Sequence, residues 1–91
     1  MYYVYALKSR KKNYVYKGFA KNFSDRLKRH NSGREKTTKP YAPFDVLYVE
    51  KVENRNEARK RENFLKSEQG RKFLQKLMAD LPKAGKRAWL P

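Results

Sequence analysis

Apolar and polar positions alternate at the start of the chain and again near its middle. Between and after these stretches, hydrophobic residues recur at helical spacing. From Tyr2 to Gly18 two short aromatic segments flank a polar, basic connector, Ser9-Arg10-Lys11-Lys12-Asn13, the pattern of a β-hairpin with a loop longer than two residues. Strand alternation puts Tyr3, Tyr5 and Leu7 on one face, where Tyr14 and Tyr16 can meet them across the ladder. Taken singly, each tyrosine reads as a strand former packing a small core. Gly18 to Lys21 is expected to turn the chain into a helix capped by Asn22, with Asp25 in its first turn. Phe23, Leu27 and His30 fall on one face of that helix, Arg26 and His30 lie one turn apart, and Gly33 follows its end.

Arg34 to Pro43 reads as a basic surface loop of about ten residues, of a kind often solvated and idle but here expected beside the hairpin, where its backbone and Thr hydroxyls can contact phosphates. Phe44 to Val52 reads as a third strand, with Phe44, Val46 and Tyr48 on one face and Leu47 and Val49 on the other, so helices should cover both sides of the sheet. Asn54, with Glu57 three residues on, opens a second helix on which Ala58, Glu62 and Leu65 share a face. Glu62 thus sets an acid within an apolar stripe. Gly70 is expected near a break before the last helix, where Phe73, Leu74, Leu77, Met78 and Leu81 repeat at core spacing and Pro82 stops the run. A domain over residues 1–81 followed by a basic tail over 82–91, carrying Trp89, is the expected organisation.

Composition narrows the function. The chain of 91 residues has room for one domain and carries 24 Lys and Arg against 9 Asp and Glu, a formal charge of +15. That excess runs through the whole chain and repels itself in the folded state, so a polyanionic partner, nucleic acid first, is implied. Without cysteine, and with His30 as the one histidine, thiolate and histidine-cluster metal sites are excluded, and any metal is left to oxygen donors that suit Mg²⁺ or Mn²⁺. No segment has the pattern of a signal peptide or the length of a membrane span, so a cytoplasmic protein with no membrane partner is expected.

Phosphodiester hydrolysis needs cations for the charge that develops on the phosphate oxygens, a group to activate water and, commonly, a carboxylate-held metal. Arg26 offers a planar phosphate clamp, Glu62 a carboxylate on a core-facing helix, Tyr5 and Tyr16 hydroxyls, and His30 a proton carrier. The plainer alternatives are an Arg26–Glu62 structural ion pair and a merely buried histidine.

In these residues the chain resembles the GIY-YIG nuclease domain, in particular small free-standing proteins related to the nuclease module of the bacterial excision-repair incision subunit. Tyr3-Val4-Tyr5 stands for Gly-Ile-Tyr and Tyr16-Lys17-Gly18 for Tyr-Ile-Gly. Ala20 to Phe23 with Arg26, Leu27 and His30 follows the family's first helix, and Ala58 with Arg61 to Leu65 the helix bearing its metal-binding glutamate. The likeness spans about residues 2–81. It implies an α/β (α+β) fold with a three-stranded antiparallel sheet flanked by helices, and a single-metal endonuclease acting on duplex or branched DNA. Its catalytic set is Tyr5, Tyr16, Arg26, His30 and Glu62, with Glu62 holding Mg²⁺ or Mn²⁺, Tyr5 activating water once surrounding Lys and Arg together with the metal lower its pKa, and Tyr16 hydrogen bonding. Lys17, Lys21, Arg29, Lys36 and Lys39 are the candidate nucleic-acid contacts. Three positions depart from the pattern: Tyr3 for the first glycine, Lys17 for an apolar residue, whose side chain should point away from Tyr16, and Phe19 for a lysine or small polar residue. With no attached DNA-binding module expected, specificity would be weak, structure-selective or supplied by a protein partner. The competing reading is a binder of the same fold with little or no cleavage.

Overall fold

The computed structural model describes residues 1–79. Six principal elements follow in the order β1 (Tyr2–Ser9), β2 (Val15–Ala20), α1 (Phe23–Asn31), β3 (Phe44–Val52), α2 (Arg55–Lys66) and α3 (Glu68–Ala79), with a 3₁₀ turn at Lys39–Tyr41. The three strands form one antiparallel sheet in the order β2-β1-β3. The fold is therefore α+β with a three-stranded antiparallel sheet and three helices, as the sequence led us to expect. Leu81, Pro82 and Trp89 lie outside the described residues.

Alternation along β1 divides the core in two. Val4 and Ala6 join Leu47, Ala58, Leu65 and Leu74 beneath α2 and α3, an almost wholly aliphatic cluster. Tyr5 and Leu7 point the other way, to Ala20, Phe44 and Val46, where Phe23 and Leu27 of α1 pack. Both helix caps form as their sequences predict. The Asn22 side chain accepts from the Asp25 amide at 3.0 Å, and the Asn54 side chain from the Glu57 amide at 2.9 Å, each satisfying an orphan N–H of a first turn.

Four local expectations are corrected. β2 continues through Ala20, paired with Tyr3, so Gly18 lies within the strand and not in a turn. A register shift between Ala6 and Leu7 sets Leu7 opposite Val46 and Ala6 opposite Tyr48. This bulge reverses the alternation within β3: Tyr48 joins Leu47 on the α2–α3 face, and Val49 is left 43% exposed opposite Tyr5. Gly70 lies inside α3, and Ser67 separates the helices; a side chain at Gly70 would collide with the Phe64–Leu65 backbone, so its close approach, not a turn, explains the glycine. Finally, the 34–43 loop is not a free basic loop. Thr38 is only 1% exposed, the Tyr41 ring stacks on Tyr14 at 3.9 Å, and the Ser9 hydroxyl donates to the Tyr41 carbonyl at 2.6 Å.

Candidate active site

Gly18, in mid-strand, is the point on which the site converges. It pairs with Tyr5, while Tyr16 pairs with Leu7, so Tyr16 shares the Tyr5 face one diagonal step away. A β-carbon at Gly18 would lie 3.1 Å from the Tyr5 hydroxyl and 3.3 Å from that of Tyr16. The two phenols therefore take up the room a side chain at this position would need. The phenols expected to meet across the hairpin do so, and glycine is what gives them room.

α1 closes this space from above. Its Phe23 ring packs 5.2 Å from that of Tyr5, while His30, two turns on and 2% exposed, lies with its ring 4.7 Å from Tyr16. The Tyr5 hydroxyl lies 3.5 Å from His30 Nε2, and Thr38 Oγ1 lies 2.9 Å from His30 Nδ1. Arg26, on the same helix face as His30, bears electrostatically on both phenols and on the imidazole. Each shift has an identifiable cause. Burial, reinforced by Tyr16, pushes the Tyr5 phenol well above its ordinary value, against the opposing pull of Arg26. Burial likewise raises Tyr16; Arg26 opposes the shift, and Glu62 and Glu35 add to it. Burial lowers His30, aided by Arg26 and Arg29 and opposed by Glu35, so the imidazole is neutral at pH 7. Without a metal ion, desolvation outweighs the guanidinium, so the charge of Arg26 by itself does not lower the Tyr5 pKa.

Glu62 reaches the site from α2, which packs against β1 and β2. Its carboxylate is partly buried, bears on Tyr16, and pairs with Lys66 at 3.5 Å. Among the described residues its ion pair is with Lys66, so the alternative of an Arg26–Glu62 structural bridge is not the observed arrangement. No three His, Cys, Asp or Glu residues cluster for a metal among the described residues. A single carboxylate, partly buried and paired with Lys66, suits a hydrated hard ion only once that lysine is displaced, since Mg²⁺ keeps several waters and is commonly bound by one or two carboxylates together with substrate phosphates. The donor set fits the proposed metal on those terms.

The candidate nucleic-acid contacts are more dispersed. Lys17 pairs with Ala6 and so lies on the opposite face from Tyr16, lining a cavity of about 360 Å³ with Arg71, Leu74 and Met78. Phe19 also points to that face, edge-on to Tyr2 at 6.0 Å, so its replacement of a polar residue leaves the phenol pocket untouched. Lys21 sits over the Tyr2 ring at 5.9 Å beside the start of α1. Arg29 is engaged by Glu35 at 3.0 Å, and Lys36 and Lys39 are exposed on the loop. Glu35 and Lys66 escaped sequence reasoning, and so did the contact of Thr38 with His30, since the sequence leads one to expect the loop's threonine hydroxyls to face phosphates. Nothing distinguishes a threonine in a basic loop until the fold sets it against His30.

Comparison with known proteins agrees with this geometry. Residues 1–76 match the family model described as GIY-YIG catalytic domain. The chain is 39% identical over 66 residues to UPF0213 protein OB0043 of Oceanobacillus iheyensis, covering 71% of this chain and 76% of that protein. It is 39% identical over 67 residues to UPF0213 protein CPE1444 of Clostridium perfringens, covering 72% and 71%. In three dimensions it is similar to the solution NMR structure of UPF0213 protein BH0048 from Bacillus halodurans, with a TM-score of 0.51, 27% identity, and coverage of 92% of this chain and 90% of that one. None of these protein names states a reaction.

Proposed function

We propose, from the premise that the chain belongs to the GIY-YIG catalytic-domain family, that it is a metal-dependent endonuclease that hydrolyses DNA phosphodiester bonds. The convergence of the Tyr5 and Tyr16 hydroxyls over Gly18 supports this reading most directly. Two hydroxyls set side by side over a residue without a side chain can hydrogen-bond a water and a phosphate oxygen.

Because burial keeps Tyr5 protonated at neutral pH, a standing phenolate is not the base. Tyr5 instead acts as a relay. Its oxygen takes a proton from the attacking water while its own proton passes to Nε2 of neutral His30, 3.5 Å away, a contact that tightens once substrate closes the site. The hydroxide formed attacks phosphorus, the P–O3′ bond breaks, and the leaving oxygen takes a proton from solvent. Arg26 clamps the phosphate and stabilises the charge gathering on its oxygens. Tyr16 orients the water, and Glu62 would hold Mg²⁺ or Mn²⁺, which supplies Lewis-acid stabilisation of the leaving oxygen. The +15 charge draws DNA to the site, with a protein partner the proposed source of any sequence specificity. No helix among the described residues is long and apolar enough to cross a membrane, and a cytoplasmic setting fits the reading.

One observation favours a non-cleaving DNA binder: Glu62 is already engaged by Lys66. An incision assay on single-stranded, duplex, nicked and branched DNA with Mg²⁺ or Mn²⁺ separates the two. Cleavage abolished in Glu62→Ala supports the enzyme; unchanged cleavage overturns the metal assignment. Binding of every substrate with incision of none establishes the binder.

A further inference from the structure

We infer that Thr38 is a positioning residue: its hydroxyl fixes His30 as the tautomer protonated at Nδ1, leaving Nε2 as the acceptor for the Tyr5 proton. The inference follows from accounting for every proton in the buried chain that runs from α1 to the loop. Arg26 bears electrostatically on the Tyr5 phenol and, having donors only, offers its hydrogen no acceptor. The Tyr5 proton then needs an acceptor of its own, and among the described residues its hydrogen-bond partner of that kind is His30 Nε2 at 3.5 Å. An acceptor at Nε2 requires the imidazole proton at Nδ1 in the neutral ring. That proton meets Thr38 Oγ1 at 2.9 Å, and the threonine hydroxyl passes its own proton on to the Glu35 carbonyl at 3.5 Å.

The reverse arrangement fails at one end. With Thr38 donating to Nδ1, Nε2 would carry the proton toward Tyr5, and the Tyr5 hydrogen would lose the acceptor it has among the described side chains. Such an unpaired hydroxyl is costly here, since Tyr5 is fully buried and His30 and Thr38 are only 2% and 1% exposed. Thr38 is also held independently of the histidine. Its amide donates to the Glu35 carbonyl at 3.1 Å, its carbonyl accepts from the Tyr41 amide at 2.9 Å, and the Tyr41 ring is anchored on Tyr14, so the loop presents the hydroxyl from a fixed position. The groups bearing on His30 are Tyr5, Tyr16, Arg26, Arg29 and Glu35, none of which offers Nδ1 another acceptor.

The tautomer stands apart from any activity, whereas its catalytic consequence rests on the nuclease reading. Because His30 is the one histidine in the chain, its ring nitrogens give unambiguous NMR signals. In ¹⁵N-labelled wild type at neutral pH, Nδ1 should show the protonated-type shift and Nε2 the unprotonated type. Thr38→Ser should keep that pattern, and Thr38→Val should move it toward Nε2 protonation. With Mg²⁺ and a cleavable DNA, Thr38→Val should lower kcat by about tenfold or more with little change in KM, and Thr38→Ser should restore most of it. A wild-type ring protonated at Nε2 overturns the inference even if no variant folds. An altered tautomer in Thr38→Val with unchanged kcat overturns the positioning role. Wild type that shows the Nδ1 tautomer but cuts no substrate leaves the tautomer standing and removes the nuclease reading instead.

Discussion

The two faces of the sheet are built from neighbouring residues of the same strand and do different work. Beneath α2 and α3, Val4 and Ala6 meet Leu47, Ala58, Leu65 and Leu74 with no polar group between them. On the α1 face, Tyr5 and Leu7 meet Tyr16 and Phe23, and among them stand an imidazole, a guanidinium and two phenols. The first face can hold the domain together without chemistry. It thereby lets the second accept buried hydroxyls and a buried histidine, groups that add less to stability than the aliphatic residues their volume could hold. Substitutions on the two faces should therefore separate activity from stability.

The largest effect is expected from Tyr5→Phe. The ring remains, so packing against Phe23 and Tyr16 persists, but the relay loses its oxygen. Cleavage should fall by about a thousandfold, within the range lost with a general base, while the urea midpoint shifts little. A large loss of stability with intact cleavage would show that Tyr5 belongs to the core alone. Leu65→Ala tests the opposite face. Its side chain is fully buried against the aliphatic cluster, and truncation should cost about 3 kcal/mol of stability in urea denaturation. Activity per folded molecule, assayed well below the melting temperature, should be retained.

Gly18→Ala is a smaller and sharper test, because it adds one methyl at the boundary between packing and chemistry. The new carbon would stand 3.0 Å from Tyr16 Cε2 and 3.1 Å from the Tyr5 hydroxyl, so both phenols must shift by a few tenths of an ångström. Cleavage should drop by about tenfold through misplacement, with a stability change of about 1 kcal/mol. Equal rates for glycine and alanine would mean that the phenol positions are not critical.

What could be read in advance was whatever depends on local pattern. The third strand over Phe44–Val52, both asparagine caps and the stop at Gly33 follow from alternation, side-chain hydrogen bonding and backbone freedom, and each appears as predicted. The features that were missed depend on contacts between distant residues. The bulge beside Ala6 reverses Tyr48 because three strands must share one register, which β3 taken alone does not reveal. Gly70 serves a helix–helix approach, and Thr38 meets His30 only after the loop folds back over the sheet. Family resemblance supplied Tyr5, Tyr16, Arg26, His30 and Glu62 as a set. It was silent on the electrostatic balance, which leaves Tyr5 protonated and Glu62 paired with Lys66.

The smallest effect concerns pH, and it again separates the faces. His30 has its pKa depressed in the fold by burial, with Arg26 and Arg29 adding to the shift and Glu35 opposing it. The unfolded chain therefore binds a proton at this site more readily than the folded one. The contribution of the neutral imidazole is fully present above the unfolded value near 6.5 and is lost as pH falls through the lower folded value. The melting temperature should accordingly be level from about pH 8 to 7 and decline below 6.5, before the carboxylates begin to titrate. His30→Asn should flatten that decline between pH 7 and 5.5. Leu65→Ala should lower the whole curve without changing its slope, because the aliphatic face holds no group that titrates there. If Leu65→Ala were to alter the slope, or His30→Asn to leave it unchanged, the acid sensitivity would originate outside the Tyr5 face, and the division of labour between the two sides of β1 would fail on its electrostatic half.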